Sequence, residues 1–292
     1  MPDNLSESIK NTVAGASAGC VASVITCPLD VVKTRLQNQG KYEGIHAYRG
    51  TLGTLSRIWA EEGVRGLYRG LGPTIYGYLP TWSIYFSAYN GLKKVLGERT
   101  GRTADSIVVH VLSAMGAGAT SSIMTNPLWV IKTRFMTQSR TTSYHYKNTL
   151  DAFSTIWREE GIRGFYKGLT PSLLGVFHVA VQFPLYERLK LILKTEDLES
   201  FGTSAILVAS SSSKMAASIV TYPHEVIRTR LQNQTVRPFK YMGVLQTIHM
   251  IHREEGWTAF YKGMPTNLIR TVPASALTIL TYELIVMKLS SL

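Results

Sequence analysis

Acid is scarce in this 292-residue chain: 19 Asp and Glu face 31 Lys and Arg, giving a formal charge of +12, and charged side chains amount to only 17 %. Cysteine is almost missing. Cys20 and Cys27 are the two, which excludes a disulfide framework and leaves no thiol-based metal spacing. His249 and His252 stand as a lone pair, so no metal site is expected. The chain also lacks a glycine-rich phosphate loop and a nucleophile, base and orienter set, which argues against an enzyme. Its first residues carry no charged-then-apolar secretory signal, so targeting information is expected to be internal.

Charge is missing from long stretches as well. Residues 11–29, 71–92, 107–131 and 169–186 contain no Asp, Glu, Lys or Arg, while 201–224 is interrupted only by Lys214 and 264–282 only by Arg270. Each is about long enough to cross ~30 Å of hydrocarbon as a helix. They are rich in Ser, Thr, Gly and Tyr, as suits helices with one face to lipid and another to water or to each other. The basic residues fall mainly in three long segments between spans, whereas the short connectors around Glu98 and Glu196 are nearly balanced. That asymmetry reads as a positive-inside membrane protein and speaks against nucleic acid as a partner.

The chain then repeats itself. Pro28-Leu-Asp-Val-Val-Lys33-Thr-Arg35 recurs as Pro127-Leu-Trp-Val-Ile-Lys132-Thr-Arg134 and Pro223-His-Glu-Val-Ile-Arg228-Thr-Arg230. Downstream come Glu62-Gly63 with Tyr68-Arg69-Gly70, Glu160-Gly161 with Tyr166-Lys167-Gly168, and Glu255-Gly256 with Tyr261-Lys262-Gly263. A fixed period of this kind sets the architecture before any single residue does. Three modules follow, residues 1–103, 104–198 and 199–292. Each proline falls near the polar end of an odd-numbered span and is expected to kink it. Segments 51–60 and 150–158 show helical apolar spacing and should stop at the Glu-Glu-Gly that follows.

With three in-register copies of both motifs, the sequence resembles the mitochondrial carrier family over nearly its whole length. The resemblance implies an all-α membrane protein of six transmembrane helices in three pseudo-symmetric repeats, with a short surface helix in each long loop. It implies the mitochondrial inner membrane, both termini on the cytosolic side, and action as a monomer. Cardiolipin is the implied lipid, held by helix-start amides after Gly70, Gly168 and Gly263, since helix N-termini favour phosphate.

Two gates are implied. On the matrix side the first residue of each acid–base motif bridges to the next odd helix: Asp30 to Lys132 and Glu225 to Lys33, with Gln37 and Gln232 as braces and Met136 unable to brace. Trp129 occupies the third acid position and leaves Arg228 without a carboxylate; a cation–π contact between them would contribute ~0.5–2 kcal/mol. On the cytosolic side, Tyr89-Asn90-Gly-Leu-Lys93, Tyr186-Glu187-Arg-Leu-Lys190 and Tyr282-Glu283-Leu-Ile-Val286 imply an ion pair from Glu283 to Lys93, a hydrogen bond between Asn90 and Lys190, and Glu187 facing Val286. Two charged bridges against one predict an empty carrier that rests open to the cytosol.

Between the gates, an unpaired intramembrane charge marks function. Lys214 lies three helical turns from Glu225 and should share its direction, and Arg270 lies inside the sixth span. Two cations with no internal acid predict an anionic ligand, phosphates foremost. The family's contact positions fall on Gly77-Tyr78, Gly175-Val176 and Arg270, and Gly followed by a branched aliphatic resembles members that carry nucleotides. Trp82 and Tyr85 offer stacking faces, and the resemblance adds Thr81, His178, Gln182 and Asn267. The runs around Trp129 and Lys214 are similar to the branch that carries NAD, FAD, folate and pyrimidine nucleotides, and those from Gly77 and Pro171 to fungal and plant NAD carriers. The expected function is NAD exchange for another nucleotide by alternating access, without a cofactor. Pyrimidine nucleotide, FAD or folate transport is the alternative within the fold; a proton or fatty-acid leak, or a membrane adaptor, is the alternative outside it.

Overall fold

A computed structural model describes residues 2–40, 47–100, 106–139, 142, 144–195, 202–235 and 238–290. Glu196 lies outside them. Among the described residues all regular structure is helical. The first repeat holds α1 (Pro2–Asn38), α2 (Gly50–Leu67) and α3 (Leu71–Thr100). The second holds α4 (Ile107–Thr137), α5 (Thr149–Glu160), α6 (Ile162–Phe165), α7 (Leu169–Leu174) and α8 (Phe177–Thr195). In the third are α9 (Gly202–Thr221), α10 (Pro223–Asn233), α11 (Val244–Glu255), a 3₁₀ turn (Trp257–Tyr261) and α12 (Met264–Ser290). α3 packs on α4, α8 on α9, and α12 returns to α1, which closes the bundle into a ring.

Helices α1 and α4 run on through Pro28 and Pro127, whereas the third odd span is divided before Pro223, where the sequence places a kink. Two local features differ from the sequence reading. The fourth span is also divided, at Gly175-Val176, where Gly175 N–H donates to Ser172 O and Val176 N–H to Leu173 O, a tighter turn than the α-helix. By length and apolar content alone, only Ile107–Thr137 and Trp257–Lys288 qualify as spans among the described residues. Helix α8, for one, has 19 residues and carries Glu187, Arg188, Lys190 and Lys194.

The apolar core is therefore not at the centre. Three similar clusters lie under the long loops: Val31, Val32, Leu36, Ile58 and Leu67; Ile131, Phe135, Ile156 and Phe165; and Ile227, Leu231, Ile251 and Phe260. Each fastens a surface helix (α2, α5 or α11) to the end of its own odd-numbered span. Helices α5 and α11 stop at Gly161 and Gly256 and α2 is broken at Gly63; the three glycines have φ of 65°, 79° and 65°, a region L side chains avoid.

Beneath each cluster runs a buried ion pair, Arg35 with Glu62, Arg134 with Glu160, and Arg230 with Glu255. The second basic residue of one motif thus meets the acid of the other. Each pair also reaches the neighbouring repeat. Arg35 Nε donates to Met136 O (3.0 Å), Arg134 Nε to Gln232 O (3.0 Å) and Arg230 Nε to Gln37 O (3.2 Å). These carbonyls end odd-numbered spans and lack a helical donor. The arginines satisfy them and lock the repeats together in a cycle.

Candidate functional site

The long-loop ends of α1, α4 and α10 converge on a polar cavity of about 270 Å³ whose charged lining is Asp30, Lys33, Lys132, Glu225, Arg228 and Arg270. Lys33 meets Glu225 at 2.5 Å. Gln37 braces this bridge: its Nε2 donates to Glu225 (3.1 Å) and to the Tyr222 hydroxyl (2.9 Å), while Thr229 donates to its Oε1 (2.9 Å). The expected contact from Asp30 to Lys132 is absent. Asp30 Oδ1 lies instead 3.1 Å from Arg270 Nε, an ion contact too poorly aligned for a hydrogen bond, since that N–H has no partner. Lys132 stands 4.8 Å over the Trp129 ring, so the cation–π partner of Trp129 is Lys132 and not Arg228. The indole N–H is held by Thr125 (3.0 Å), and the ring meets Tyr78 edge-on at 6.4 Å. Those contacts fix it where Lys132 can stack. Met136 does not brace a bridge; it accepts a long hydrogen bond from Thr34 (3.5 Å).

The predicted substrate residues divide. Tyr78 and Arg270 line the cavity, while Gly77, Thr81, Trp82, Gly175, Val176, His178, Gln182, Lys214 and Asn267 do not. Asn267 is buried and accepts from Lys33 (2.9 Å), which makes it part of the closed end. His178 is tied to Thr221 of α9 (3.1 Å). Val176 lies beside Gly118 of α4, so it occupies a helix seam. Trp82 stacks on Phe86 of its own helix, with Tyr85 edge-on. Gly175 has a packing reason: a Cβ there would lie 2.6 Å from His224 Nε2, whereas at Gly77 the nearest atom would be 3.9 Å away. Lys214 is half-buried and has no carboxylate in ion-pair range among the described residues; the charge it senses is Arg270. Of the two cations expected to be free, one is therefore free and one leans on Asp30.

At the short-connector end the bridges the sequence implies do not form among the described residues. Asn90, Lys190 and Glu283 are exposed and Glu187 is half-buried. Among the described residues neither the ion pair from Glu283 to Lys93 nor the hydrogen bond from Asn90 to Lys190 forms.

Gly70, Gly168 and Gly263 take φ of 83°, 72° and 84° and press on the neighbouring repeat. A Cβ would lie 3.1 Å from Lys132 O, 3.1 Å from Arg228 O and 2.9 Å from Lys33 O, respectively. The sequence reading missed this seam, and it missed the arginine–glutamate cycle. The signal was present, since Arg35, Arg134 and Arg230 recur as strictly as Glu62, Glu160 and Glu255.

A ring of paired helices with a charged, closed end and an open one defines a carrier-type membrane transporter. The profile of the family described as mitochondrial carrier protein matches residues 5–100, 103–197 and 200–291. The chain belongs to that family, and is a multi-pass membrane transporter and not an enzyme. It is 47% identical to "Nicotinamide adenine dinucleotide transporter 2, mitochondrial" of Arabidopsis thaliana, over 96% of this chain and 80% of that one. It is 45% identical to "Mitochondrial nicotinamide adenine dinucleotide transporter 1" of Saccharomyces cerevisiae, over 96% and 77%. A third relative, "Nicotinamide adenine dinucleotide transporter 1, chloroplastic" of Arabidopsis thaliana, is 44% identical over 97% and 93%.

Proposed function

We propose that this protein carries NAD across the mitochondrial inner membrane in exchange for another nucleotide, by alternating access. The observation that carries the reading is Lys214, a half-buried cation inside the bundle that senses Arg270 and has no carboxylate in ion-pair range among the described residues. An anionic cargo supplies the missing charge, and three relatives named for nicotinamide adenine dinucleotide narrow which anion it is. In this reading the long-loop end faces the matrix and both termini face the cytosolic side. The closed bridges at that end support the same reading, in which the resting carrier is open to the cytosol. Substrate bound near the midplane lowers the barrier between the two states by touching α3, the α7–α8 pair and α12 together. The protein works as a monomer, with cardiolipin at the helix starts after Gly70, Gly168 and Gly263.

The test is uptake of labelled NAD into liposomes holding the purified protein, challenged with unlabelled NAD, FAD, folate and pyrimidine nucleotides. NAD is expected to compete best, Arg270→Ala to abolish uptake, and Lys214→Ala to weaken apparent affinity by about tenfold, the scale of one charged hydrogen bond. A pyrimidine nucleotide that outcompetes NAD overturns the NAD assignment. Protein that passes protons or fatty acid but never nucleotide overturns the carrier reading.

A further inference from the structure

The threefold arrangement shows what a complete bridge looks like and where one is incomplete. At the complete place, Glu225 of α10 receives Lys33 at 2.5 Å and the Nε2 of Gln37 at 3.1 Å, so one carboxylate serves two donors from α1. One repeat on, the corresponding donors are Arg228 and Gln232 of α10, and the corresponding acid is replaced by Trp129 of α4. Both donors are present with no acid opposite them.

Two independent observations mark this place as vacant. Gln232 is 1% exposed; its Oε1 accepts from Thr133 (2.8 Å), yet its Nε2 has no hydrogen-bond partner. A buried donor left in this state costs about 1–3 kcal/mol. Arg228 has no ion pair among the described residues; the carboxylate it senses, Glu225 on its own helix, is already held by Lys33 and Gln37. Both side chains line the 270 Å³ cavity, together with Lys132. Lys132 feels Asp30 most strongly and Arg270 and Arg228 more weakly, but stacks on Trp129 with no carboxylate in ion-pair range among the described residues. With Asp30 against Arg270 and Glu225 against Lys33, the cavity keeps two surplus positive charges, on Lys132 and Arg228.

We propose that this vacant carboxylate place is an anion seat, in which a phosphate oxygen of the transported dinucleotide sits between Arg228 and the Gln232 amide, with Lys132 neutralising the second charge of the pyrophosphate. The substrate thereby completes the third bridge of the closed end. The replacement of an acid by Trp129 is what opens the seat, and the indole keeps Lys132 beside it. Identification of the anion as a dinucleotide rests on the transport reading above; the seat for phosphate does not.

The experiment measures thermal stabilisation of the full-length protein in detergent by inorganic pyrophosphate and, separately, by NAD. Wild type is expected to be stabilised by both. Trp129→Glu supplies the missing carboxylate and should lower apparent affinity for each by about tenfold or more, the scale of a lost charged contact. Arg228→Gln should do the same and Arg228→Lys should restore part of it. Gln232→Met, which installs the residue found at the equivalent Met136, should weaken ligand stabilisation while leaving the ligand-free melting point level or higher, because an orphaned donor is removed. Variants that keep the wild-type response to both ligands overturn the seat, as does a wild type that responds to neither. A response to pyrophosphate alone that Trp129→Glu removes, in protein that fails to exchange NAD, upholds the seat and overturns the transport reading.

Discussion

Glu160 and Glu255 are the acids on which the long-loop end depends. Burial pushes both carboxyls up, but the hydrogen bonds and charge of Arg134 and Arg230, joined by Lys167 (2.6 Å) and Lys262 (2.6 Å), outweigh it and hold both below the ordinary value of 4.5. A carboxyl depressed in the folded state contributes stability that is complete above its unfolded pKa and is lost as pH falls through the folded one. The protein should therefore lose stability below 4.5. Glu255→Gln leaves Arg230 buried without its charge partner and should cost about 3–5 kcal/mol near neutral pH. Melting curves across the acid range should show the variant less stable than wild type and less sensitive to acid. Parallel curves would contradict the assignment. These acids were visible in the sequence as an acid before a glycine, repeated three times. Their partners were not, because the motif of Arg35, Arg134 and Arg230 lies far away in the chain and only packing joins the two. The cations behaved similarly: Lys214 and Arg270 stood out as charges in apolar runs, but the contact of Arg270 with Asp30 spans α12 to α1, which no spacing rule reaches.

At the scale of elements, the seams between repeats rest on glycines that have no room for a side chain. Gly168 begins α7 with φ of 72°, and a Cβ there would lie 2.8 Å from Gln232 Cγ and 3.1 Å from Arg228 O. Gly168→Ala combines backbone strain with displacement of α10, so a loss of about 2–4 kcal/mol is expected. Gly243→Ala is a fair control, since its φ of −178° is extended and no atom lies within 4 Å of a Cβ there. Equal melting points for the two variants would contradict the seam. Spans and surface helices were legible because apolar spacing and charge-free runs report burial and membrane depth directly. The division before Pro223 was legible from the proline itself; the one at Gly175-Val176 was not, since it lies inside an apolar stretch. There His224 packs against the Gly175 backbone, a contact with α10 that local sequence does not encode.

For the whole molecule, asymmetry between the ends is the main result. Arginines, glutamates and glycines draw the odd-numbered spans together at the long-loop end, while Asn90, Glu187, Lys190 and Glu283 are left apart at the other. The sequence carried the threefold plan, and even the defect at Trp129, because both are matters of counting residues along a repeat. It did not carry the rewiring of Asp30 and Lys132, which depends on where Arg270 and the Trp129 ring come to rest. The closed end can be reopened when substrate supplies compensating contacts in the opposite state. Obligatory exchange, as opposed to simple uptake, follows if the empty carrier crosses between states much more slowly than the loaded one. The most direct measurement compares uptake of labelled NAD into liposomes loaded with unlabelled nucleotide and into empty ones. Rapid uptake into loaded liposomes with little or none into empty ones is the predicted result; equal uptake into both would contradict exchange by alternating access.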